Sequence, residues 1–270
     1  MSKVSLPLAL QVYSVREDAQ KDFRKTMEDV KSMGYEGVEL AGLYDMSVEE
    51  VKAILDEVGL ELVSAHVPVA ELEKDEVLDA YAATGMTYIA IPWMKAGKNE
   101  EEVHRDIALI RSIAERVKDR GMQLLYHNHD FEFEKINGQY ILDTYYSEVS
   151  ADLLQTELDT CWVNVGGEDP AAYLMKYQGR SPIVHLKDFK GQKNDHMYAL
   201  IGDDSEAKEE TAEGFELRPV GYGVQDFPAI LEAAEKAGAK WLVVEQDEPS
   251  MDKTPLECAK LSIDYLKGIM

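Results

Sequence analysis

The chain repeats one local pattern eight times: a short apolar run, then a longer segment whose apolar residues recur at three- and four-residue spacing. The first half of the pattern is typical of a buried strand and the second of an amphipathic helix. The predicted strands are Leu8–Tyr13, Gly37–Leu40, Glu61–His66, Tyr88–Ile91, Gln123–Tyr126, Gln155–Asp159, Ile183–Lys187 and Trp241–Glu245. The predicted helices are Asp22–Met33, Ser47–Val58, Glu71–Thr84, Glu100–Arg120, Ala171–Tyr177, Asp226–Ala237 and Pro255–Lys267. This alternation predicts an α/β fold, a single (β/α)8 TIM barrel.

Signals at the helix ends support the same architecture. The sequence Ser47-Val48-Glu49-Glu50 is a capping box, and five glycines directly follow helical segments. They are Gly34, Gly59, Gly85, Gly121 and Gly238. A doubly wound open sheet is the competing fold, but the chain contains neither GxGxxG nor GxxxxGK[ST].

The length of 270 residues fits one barrel domain spanning 1–270. Two stretches interrupt the alternation. Asn137–Val149 is predicted to be a loop plus a short helix, and Gly191–Gly223, after strand seven, is too long for an ordinary connection. Long loops at the carboxyl ends of barrel strands lie over the active site, so we expect 191–223 to be a lid inserted there. Its acidic middle, Asp203–Glu210, is better explained as a solvated, mobile segment.

The formal charge of −24 argues against binding to a nucleic-acid backbone, which needs a basic surface. A local basic patch at Lys187 and Lys190 leaves a phosphorylated small molecule open. The chain has no apolar run of signal-peptide or membrane-spanning length, so we expect a cytoplasmic protein without a membrane partner. Cys161 and Cys258 lack metal-binding spacing and are expected to be buried, reduced thiols.

Ionisable residues collect at the ends of the predicted strands. Four of the six histidines lie there, namely His66, His127, His129 and His185. Asp159, His185 and Glu245 end strands six, seven and eight, and the carboxyl ends of barrel strands meet at one mouth. Two carboxylates and one imidazole suit a divalent metal ion: Mn²⁺, Mg²⁺, Co²⁺, Fe²⁺ or Zn²⁺. Taken singly, His185 could be a core histidine and Asp159 a helix cap.

The sequence resembles the xylose-isomerase-like superfamily over essentially its whole length, and within it the subgroup called sugar phosphate isomerases or epimerases. The most specific elements are LQVYSVR at 10–16, GYEGVEL at 34–40, YHNHDFEF at 126–133, HLKD at 185–188, GYG at 221–223 before Asp226-Phe227, and VVEQD at 243–247. The resemblance implies a TIM barrel that binds a divalent ion through Glu, Asp, His and Glu at four strand ends. Asp159, His185 and Glu245 match the last three ligands.

The first of these ligands departs from the family pattern. Where epimerases of the family have a glutamate ending strand five, this chain has Tyr126-His127-Asn128-His129, with Glu132 shortly after. Either a histidine replaces the ligand or Glu132 folds back to supply it. We favour His129 as the ligand and leave His127 or Glu132 for proton transfer, although strand alternation places both histidines on one face.

Other residues are assigned to substrate binding or catalysis. Lys187 shares a strand face with His185 and is predicted to polarise an oxygen or bind phosphate; the alternative is a rim ion pair with Asp188. Three residues at strands one to three are predicted to recognise sugar hydroxyls, namely Gln11, Glu39 and His66. Trp93 and Phe131 are candidates for stacking on a sugar ring, with core packing as the alternative for Trp93.

These features predict a metal-dependent isomerase or epimerase of a sugar, keto-sugar or sugar phosphate, working by α-proton abstraction beside a metal-polarised carbonyl. The alternative is a lyase or dehydratase acting on a keto-sugar or polyol derivative with the same metal site. A non-catalytic sugar-binding barrel is the remote alternative. The superfamily's DNA repair endonucleases are disfavoured by the acidic charge. A homo-oligomer is left open.

Overall fold

Eight parallel strands close into a barrel in the computed structural model, which describes residues 4–192 and 214–270. The strands are β1 (Leu8–Gln11), β2 (Gly37–Ala41), β3 (Glu61–His66), β4 (Tyr88–Ile91), β5 (Gln123–His127), β6 (Leu154–Asp159), β7 (Ile183–Leu186) and β8 (Trp241–Val244). Each strand pairs with its neighbours in sequence, and β8 pairs with β1 to close the barrel. The predicted TIM-barrel fold is confirmed.

Helices follow the strands and cover the barrel. They are α1 (Arg16–Lys21), α2 (Phe23–Met33), α3 (Val48–Val58), α4 (Val69–Leu72), α5 (Asp75–Ala83), α6 (Glu100–Asp119), α7 (Ile141–Glu148), α8 (Thr160–Val165), α9 (Pro170–Lys176), α10 (Phe227–Ala237) and α11 (Pro255–Ile269). The predicted helix 71–84 is two helices, because Lys74 is extended (φ −102°, ψ 124°) at the start of α5. The six-residue helices α1 and α8 were not predicted, since such short segments show little periodicity.

The predicted capping box and C-terminal glycines of the helices are present in the structure. Ser47 and Glu50 form the capping box of α3, and Gly34 and Gly59 end α2 and α3 with φ of 99° and 82°. Strand β1 ends at Gln11, two residues earlier than predicted, because the Gln11 side chain accepts a hydrogen bond from the backbone N–H of Tyr13 and the chain turns into a 3₁₀ segment. Cys161 and Cys258 are free and buried.

The barrel interior contains an apolar layer made by strand residues alone. Its members are Ala9, Val63, Ala90, Leu125, Ile183 and Val243. Their immediate neighbours, such as Leu10 and Tyr126, pack instead in the larger core between the strands and the helices. Because side chains alternate along a strand, the inward position after Leu125 is His127 and the one after Ile183 is His185. The apolar layer therefore lies beneath a polar layer at the carboxyl ends of the strands.

Two connections extend beyond the simple alternation. Residues 137–149 contain a hairpin strand, Gln139–Tyr140, and then α7, which confirms the predicted loop and short helix. After β7, Asp188–Lys190 pairs with Glu216–Arg218. The predicted lid at 191–223 stays a prediction, because residues 193–213 lie outside the described part of the chain. Within the described residues, none of the helices is both long and apolar enough to cross a membrane.

Candidate active site

Four side chains from consecutive strand ends meet at the carboxyl end of the barrel. His127 ends β5, Asp159 ends β6, His185 lies on β7, and Glu245 directly follows β8. Each offers one ligand atom, and these atoms all lie within 4.8 Å of one another. All four residues are buried. We call these four residues the ligand group.

The ligand group has the chemistry to bind a divalent metal ion. Asp159 Oδ1 caps α8 by accepting from the backbone N–H of Trp162 at 3.0 Å, so the helix-cap alternative is also correct for this residue. Asp159 Oδ2 has no hydrogen-bond partner among the described residues and lies 3.8 Å from His127 Nε2. Two imidazoles with two carboxylates favour borderline ions such as Zn²⁺, Fe²⁺ and Co²⁺ over Mg²⁺, which prefers all-oxygen ligands.

The fourth member of the group is His127, whereas the sequence favoured His129. Strand β5 ends at His127, so the two-residue alternation that was expected to place both histidines together does not continue to His129. The His129 ring instead stacks on Phe131 and Trp162, with centroid distances of 5.3 and 5.6 Å. Its centroid lies 5.2 Å from that of His127, so His129 lies beside the ligand group.

Glu132 lies on the opposite side of the barrel wall. Its Oε1 accepts from the hydroxyl of Tyr126 at 2.8 Å, and its Oε2 accepts from the backbone N–H of His129 at 2.8 Å. Tyr126 faces the helices, since its neighbour Leu125 belongs to the interior layer. Burial raises the pKa of Glu132 to about 8, against the lowering effect of these hydrogen bonds. The structure therefore does not bring Glu132 to the ligand group, contrary to its predicted catalytic position.

Lys187 points into the site, as predicted, and is fully engaged by carboxylates. Its Nζ lies 3.0 Å from Glu245 Oε2, 3.1 Å from Asp247 Oδ1 and 3.4 Å from Asp159 Oδ2. It also lies 5.2 Å above the ring of Trp162. Burial lowers the pKa of Lys187, but Asp247, Glu245 and Asp159 outweigh it and hold the pKa well above the ordinary value. Lys187 is therefore charged at neutral pH.

The alternative pairing of Lys187 with Asp188 is wrong. The Asp188 carboxylate accepts from the backbone N–H groups of Gly221, Gly223 and Gln225, at 3.0, 2.8 and 3.2 Å. A side chain at position 223 would collide with it, since an added Cβ would lie 2.2 Å from Asp188 Oδ1. Asp188 therefore anchors the segment that returns to the barrel before α10.

Two residues predicted to bind hydroxyl groups lie beneath the site. Gln11 Nε2 donates to Glu39 Oε1 at 2.6 Å, while Gln11 Oε1 accepts from the backbone of Tyr13. Both Gln11 and Glu39 are fully buried. Burial raises the pKa of Glu39, but His66 and His185 outweigh it and hold the pKa well below its ordinary value. His66 is partly exposed, so of the three it is the residue in a position to contact a ligand.

Sequence reasoning did not select Glu157, which links the histidines. Glu157 forms a second possible metal-binding group with His66, His127 and His185. Burial and the charge of Glu39 raise the pKa of Glu157 to about 7, while His66 and His185 oppose this shift. The sequence does contain a signal that could have identified Glu157. It lies two residues before Asp159, and side-chain alternation places both residues on the same strand face.

The two aromatic candidates differ in exposure. Trp93 follows β4 and is 37% exposed, so core packing, its alternative explanation, does not account for its position. Phe131 is partly buried and stacks on His129 with an interplanar angle of 8°. Sugar stacking by either residue stays a prediction.

Known proteins resemble this chain over most of its length. An inosose dehydratase of Lacticaseibacillus casei is 24% identical over 92% of this chain and 90% of that protein. A rhizopine catabolism protein, MocC, of Rhizobium meliloti is 26% identical over 89% of this chain and 79% of its own length. A solved sugar phosphate isomerase/epimerase of Parabacteroides distasonis has a TM-score of 0.77 at 21% identity, covering 96% of this chain and 93% of the other.

The family match agrees with the barrel and with the likeness of the solved structure. A family model described as a xylose isomerase-like TIM barrel matches residues 27–269. This match spans most of the 270-residue chain and includes every strand end that contributes to the ligand group. The chain therefore belongs to the xylose isomerase-like TIM-barrel family.

Proposed function

We propose that this protein is a metal-dependent lyase of the dehydratase type, which eliminates water from an unphosphorylated polyhydroxy ketone such as an inosose or keto-sugar. The observation that carries the proposal is the placement of a charged lysine, Lys187, directly against the ligand group. The curated relatives named inosose dehydratases support the same reaction class.

Elimination next to a carbonyl needs a polarised carbonyl oxygen, a base for the α-proton and an acid for the leaving hydroxyl. The ligands for a divalent ion would be His127, Asp159, His185 and Glu245. When bound, such an ion supplies a Lewis acid that polarises the carbonyl group and so acidifies the adjacent C–H bond. The remaining requirements fall to side chains of this chain.

Lys187 is the proposed acid. Its ammonium is charged and is held by Glu245, Asp247 and Asp159 at 3.0, 3.1 and 3.4 Å. It donates a proton to the hydroxyl on the β-carbon, which leaves as water. The electron pair of the broken α-C–H bond then forms the C=C bond.

His129 is the proposed base. This role replaces the role of metal ligand that the sequence favoured for it. Burial and the charge of Lys187 lower the pKa of His129 to about 3, so its imidazole is uncharged at neutral pH. Both residues contact Trp162: the His129 ring stacks on it with centroids 5.6 Å apart, and Lys187 Nζ lies 5.2 Å from its ring centroid. When Lys187 gives up its proton, its charge no longer lowers the pKa of His129, although burial, the larger cause, remains. The two proton transfers therefore support each other.

The charge of the site favours an unphosphorylated substrate. Four buried carboxylates and one half-buried carboxylate lie in or beside the site: Glu39, Glu157, Asp159 and Glu245 are buried, and Asp247 is half-buried. Lys187, predicted as a phosphate ligand, already has three of them within 3.4 Å. A phosphate dianion brought to Lys187 would meet these like charges in a weakly screened interior.

An isomerase or epimerase, the first prediction from the sequence, is the second candidate. It shares the removal of the α-proton but then returns a proton to carbon. Epimerisation through two opposed glutamates would need a glutamate at the end of β5, where this chain has His127. A non-catalytic sugar-binding barrel is the third candidate.

The test follows the α-proton and the β-hydroxyl separately. The Co²⁺-loaded protein is incubated with an inosose in deuterated water and observed by proton NMR. We expect an unsaturated product or the diketone that it forms by tautomerisation. Return of α-deuterated substrate without elimination would favour the epimerase, and neither exchange nor elimination would overturn the proposal.

Three variants assign the roles in that assay. His129→Asn and Lys187→Gln are each expected to lower the elimination rate about 100-fold or more, in the range of general acid–base contributions. Lys260→Gln is the matched control, because Lys260 is an exposed lysine paired with Asp264. A 6-phosphorylated keto-sugar, compared with its unphosphorylated counterpart, tests the charge argument.

A further inference from the structure

The strand ladder that closes the barrel stops short of the residues around Lys187. The last paired residues of β1 and β8 are Leu10 and Val244. Glu245, the next residue, is held from β7, because its backbone N–H donates to Leu186 O at 3.1 Å. Residues 246 and 247 lie beyond the last pair of β1 and β8. Contacts other than the strand ladder must therefore fix their position.

Two side chains of the segment after β1 supply such contacts. Ser14 Oγ accepts a hydrogen bond from the backbone N–H of Gln246 at 3.0 Å. One terminal nitrogen of Arg16 donates to the carbonyl oxygens of Asp247 and Tyr13, at 2.5 and 3.0 Å. The guanidinium also lies 4.2 Å from the centroid of the Tyr13 ring. These contacts continue the junction of β1 and β8 past the end of the strand ladder.

Arg16 thereby holds the residue that contacts Lys187. The carboxylate oxygens of Asp247 lie 3.1 and 3.3 Å from Lys187 Nζ. The carbonyl oxygen of the same residue accepts from Arg16, so Asp247 connects the arginine to the proposed acid. Arg16 also pairs with Glu248, but the Glu248 side chain is 45% exposed, and an ion pair in such a place contributes little. The contact with the Asp247 carbonyl is therefore the one that bears on the site.

We propose that Arg16 is a positioning residue for Lys187: by holding the Asp247 carbonyl oxygen, it fixes the Asp247 carboxylate and so the place of the Lys187 ammonium. This inference rests on the proposed function, in which Lys187 is the acid. It goes beyond that function by naming a residue outside the site on which the acid depends. Arg16 does not touch substrate in this role.

The contacts of Arg16 need a guanidinium. Three acceptors surround it, on Tyr13, Asp247 and Glu248. A planar guanidinium donates to several acceptors from a fixed fork, whereas the lysine ammonium is a compact charge on a flexible stem. Arg16→Lys should therefore keep part of the position of Asp247, and Arg16→Gln, with a shorter and uncharged side chain, should lose it.

The first measurement is the rate of elimination. A misplacement of about 1 Å can cost 100-fold, so we expect Arg16→Gln to lower kcat roughly 10- to 100-fold. KM should stay unchanged, because an acid acts in the transition state. Arg16→Lys should lose less activity. In a Lys187→Gln protein, Arg16→Gln should have no further effect, because Arg16 acts through Lys187.

Two control variants separate this role from a general effect of surface charge. Arg24→Gln is the matched control, because Arg24 is an exposed arginine that lies 2.7 Å from Glu57 Oε2. Glu248→Gln removes the exposed partner of Arg16 and leaves the Asp247 carbonyl in place. Both variants should keep the kcat of the original protein. A loss in Glu248→Gln equal to that in Arg16→Gln would overturn the role of the carbonyl contact.

The second measurement reports the position of Lys187 without substrate or metal. Lys187 Nζ lies 5.2 Å from the centroid of the Trp162 ring, where a cation interacts with the indole. The chain has three tryptophans, and replacing Trp93 and Trp241 by phenylalanine leaves Trp162 as the only one. In this background, Lys187→Gln defines the change in fluorescence emission that follows loss of the ammonium.

We expect Arg16→Gln to shift the Trp162 emission in the same direction as Lys187→Gln, and Arg24→Gln to leave it unchanged. Co²⁺ affinity, measured by competition with a chromophoric chelator, should stay unchanged in Arg16→Gln, because the ligand group is intact. Far-ultraviolet circular dichroism verifies folding, and Arg16→Lys keeps the test valid if Arg16→Gln does not fold. Unchanged emission in the folded variant would overturn the inference. Loss of Co²⁺ binding would also overturn it, because Arg16 would then support the ligand group instead of Lys187.

The emission result is separate from the elimination assay. A shift in Arg16→Gln would support the positioning of Lys187 even if the inosose is not converted. Conversely, elimination by the original protein with an unchanged kcat in Arg16→Gln would overturn the positioning role alone.

Discussion

The two faces of strand β5 give very different environments to residues that are close in sequence. On the inner face, His127 meets Asp159, His185 and Glu245 at the mouth of the barrel. On the outer face, Tyr126 lies among apolar residues and hydrogen-bonds Glu132 at 2.8 Å. His127 and Glu132 are five positions apart, but the barrel wall separates them. Closeness along the chain therefore does not place a residue in the site; the side of the strand does.

The largest expected effect is loss of metal from the inner face. His127→Ala and Asp159→Ala should lower metal affinity by well over 100-fold, since removing a direct ligand exceeds the 10–100-fold of an indirect one. Elemental analysis after desalting measures the bound metal. His129→Ala is the comparison variant and should keep its metal. If His129→Ala loses metal while His127→Ala retains it, the assignment of the two histidines is reversed.

On the outer face, Glu132→Ala should cost stability rather than metal. The variant leaves the Tyr126 hydroxyl and the His129 backbone N–H without their partner and opens a cavity in a fully buried position. These losses together suggest about 3–4 kcal/mol of unfolding free energy. Urea unfolding at pH 5.5 measures the loss, and elemental analysis should find unchanged metal content. Metal loss in a folded Glu132→Ala protein would show that the two faces are coupled.

Glu132, on the outer face of β5, should also make the free energy of unfolding depend on pH. Burial raises the pKa of Glu132 from its ordinary 4.5 to about 8 in the folded protein. The folded state then binds the proton more tightly than the unfolded chain, so this contribution to stability is full below about pH 4.5. It is lost as the pH rises through about 8. Relative to Glu132→Gln, the original protein should lose roughly 2–3 kcal/mol between pH 5 and 7.5.

Urea titrations of both proteins across this pH range provide the measurement. Because the amide side chain of the Glu132→Gln variant does not ionise, the difference between the two proteins isolates Glu132 from the other carboxyl groups. A difference that stays constant with pH would mean that Glu132 keeps an ordinary pKa in the folded protein.

The smallest expected effect is that of Tyr126→Phe. It removes one hydrogen bond to Glu132 while keeping the ring, which packs against Tyr145 at 5.4 Å between centroids. A loss of about 1 kcal/mol is expected. The urea midpoint should fall slightly, while Co²⁺ affinity stays unchanged. A change in Co²⁺ affinity would be evidence that the outer face positions the inner one.

The sequence located the strand ends that matter but not every partner there. Asp159, His185 and Glu245 were predicted together and lie in one group. Gln11 and Glu39 were expected at an open wall and are instead fully buried below it. The depth of a residue in a barrel depends on how the strands are staggered, which a single strand's pattern does not contain.

The alternation of apolar runs and helical segments by itself determined the (β/α)8 barrel, because side-chain periods of two and about 3.6 residues are local properties. It also determined that ionisable strand ends share one mouth, because the carboxyl ends of barrel strands converge. Only the tertiary structure places His127, and not His129 or Glu132, in the ligand group. The strand ends at His127, after which the chain turns outward to Glu132. It likewise decided the contacts of Glu157 with three histidines, since those depend on the registration of separate strands in the closed barrel.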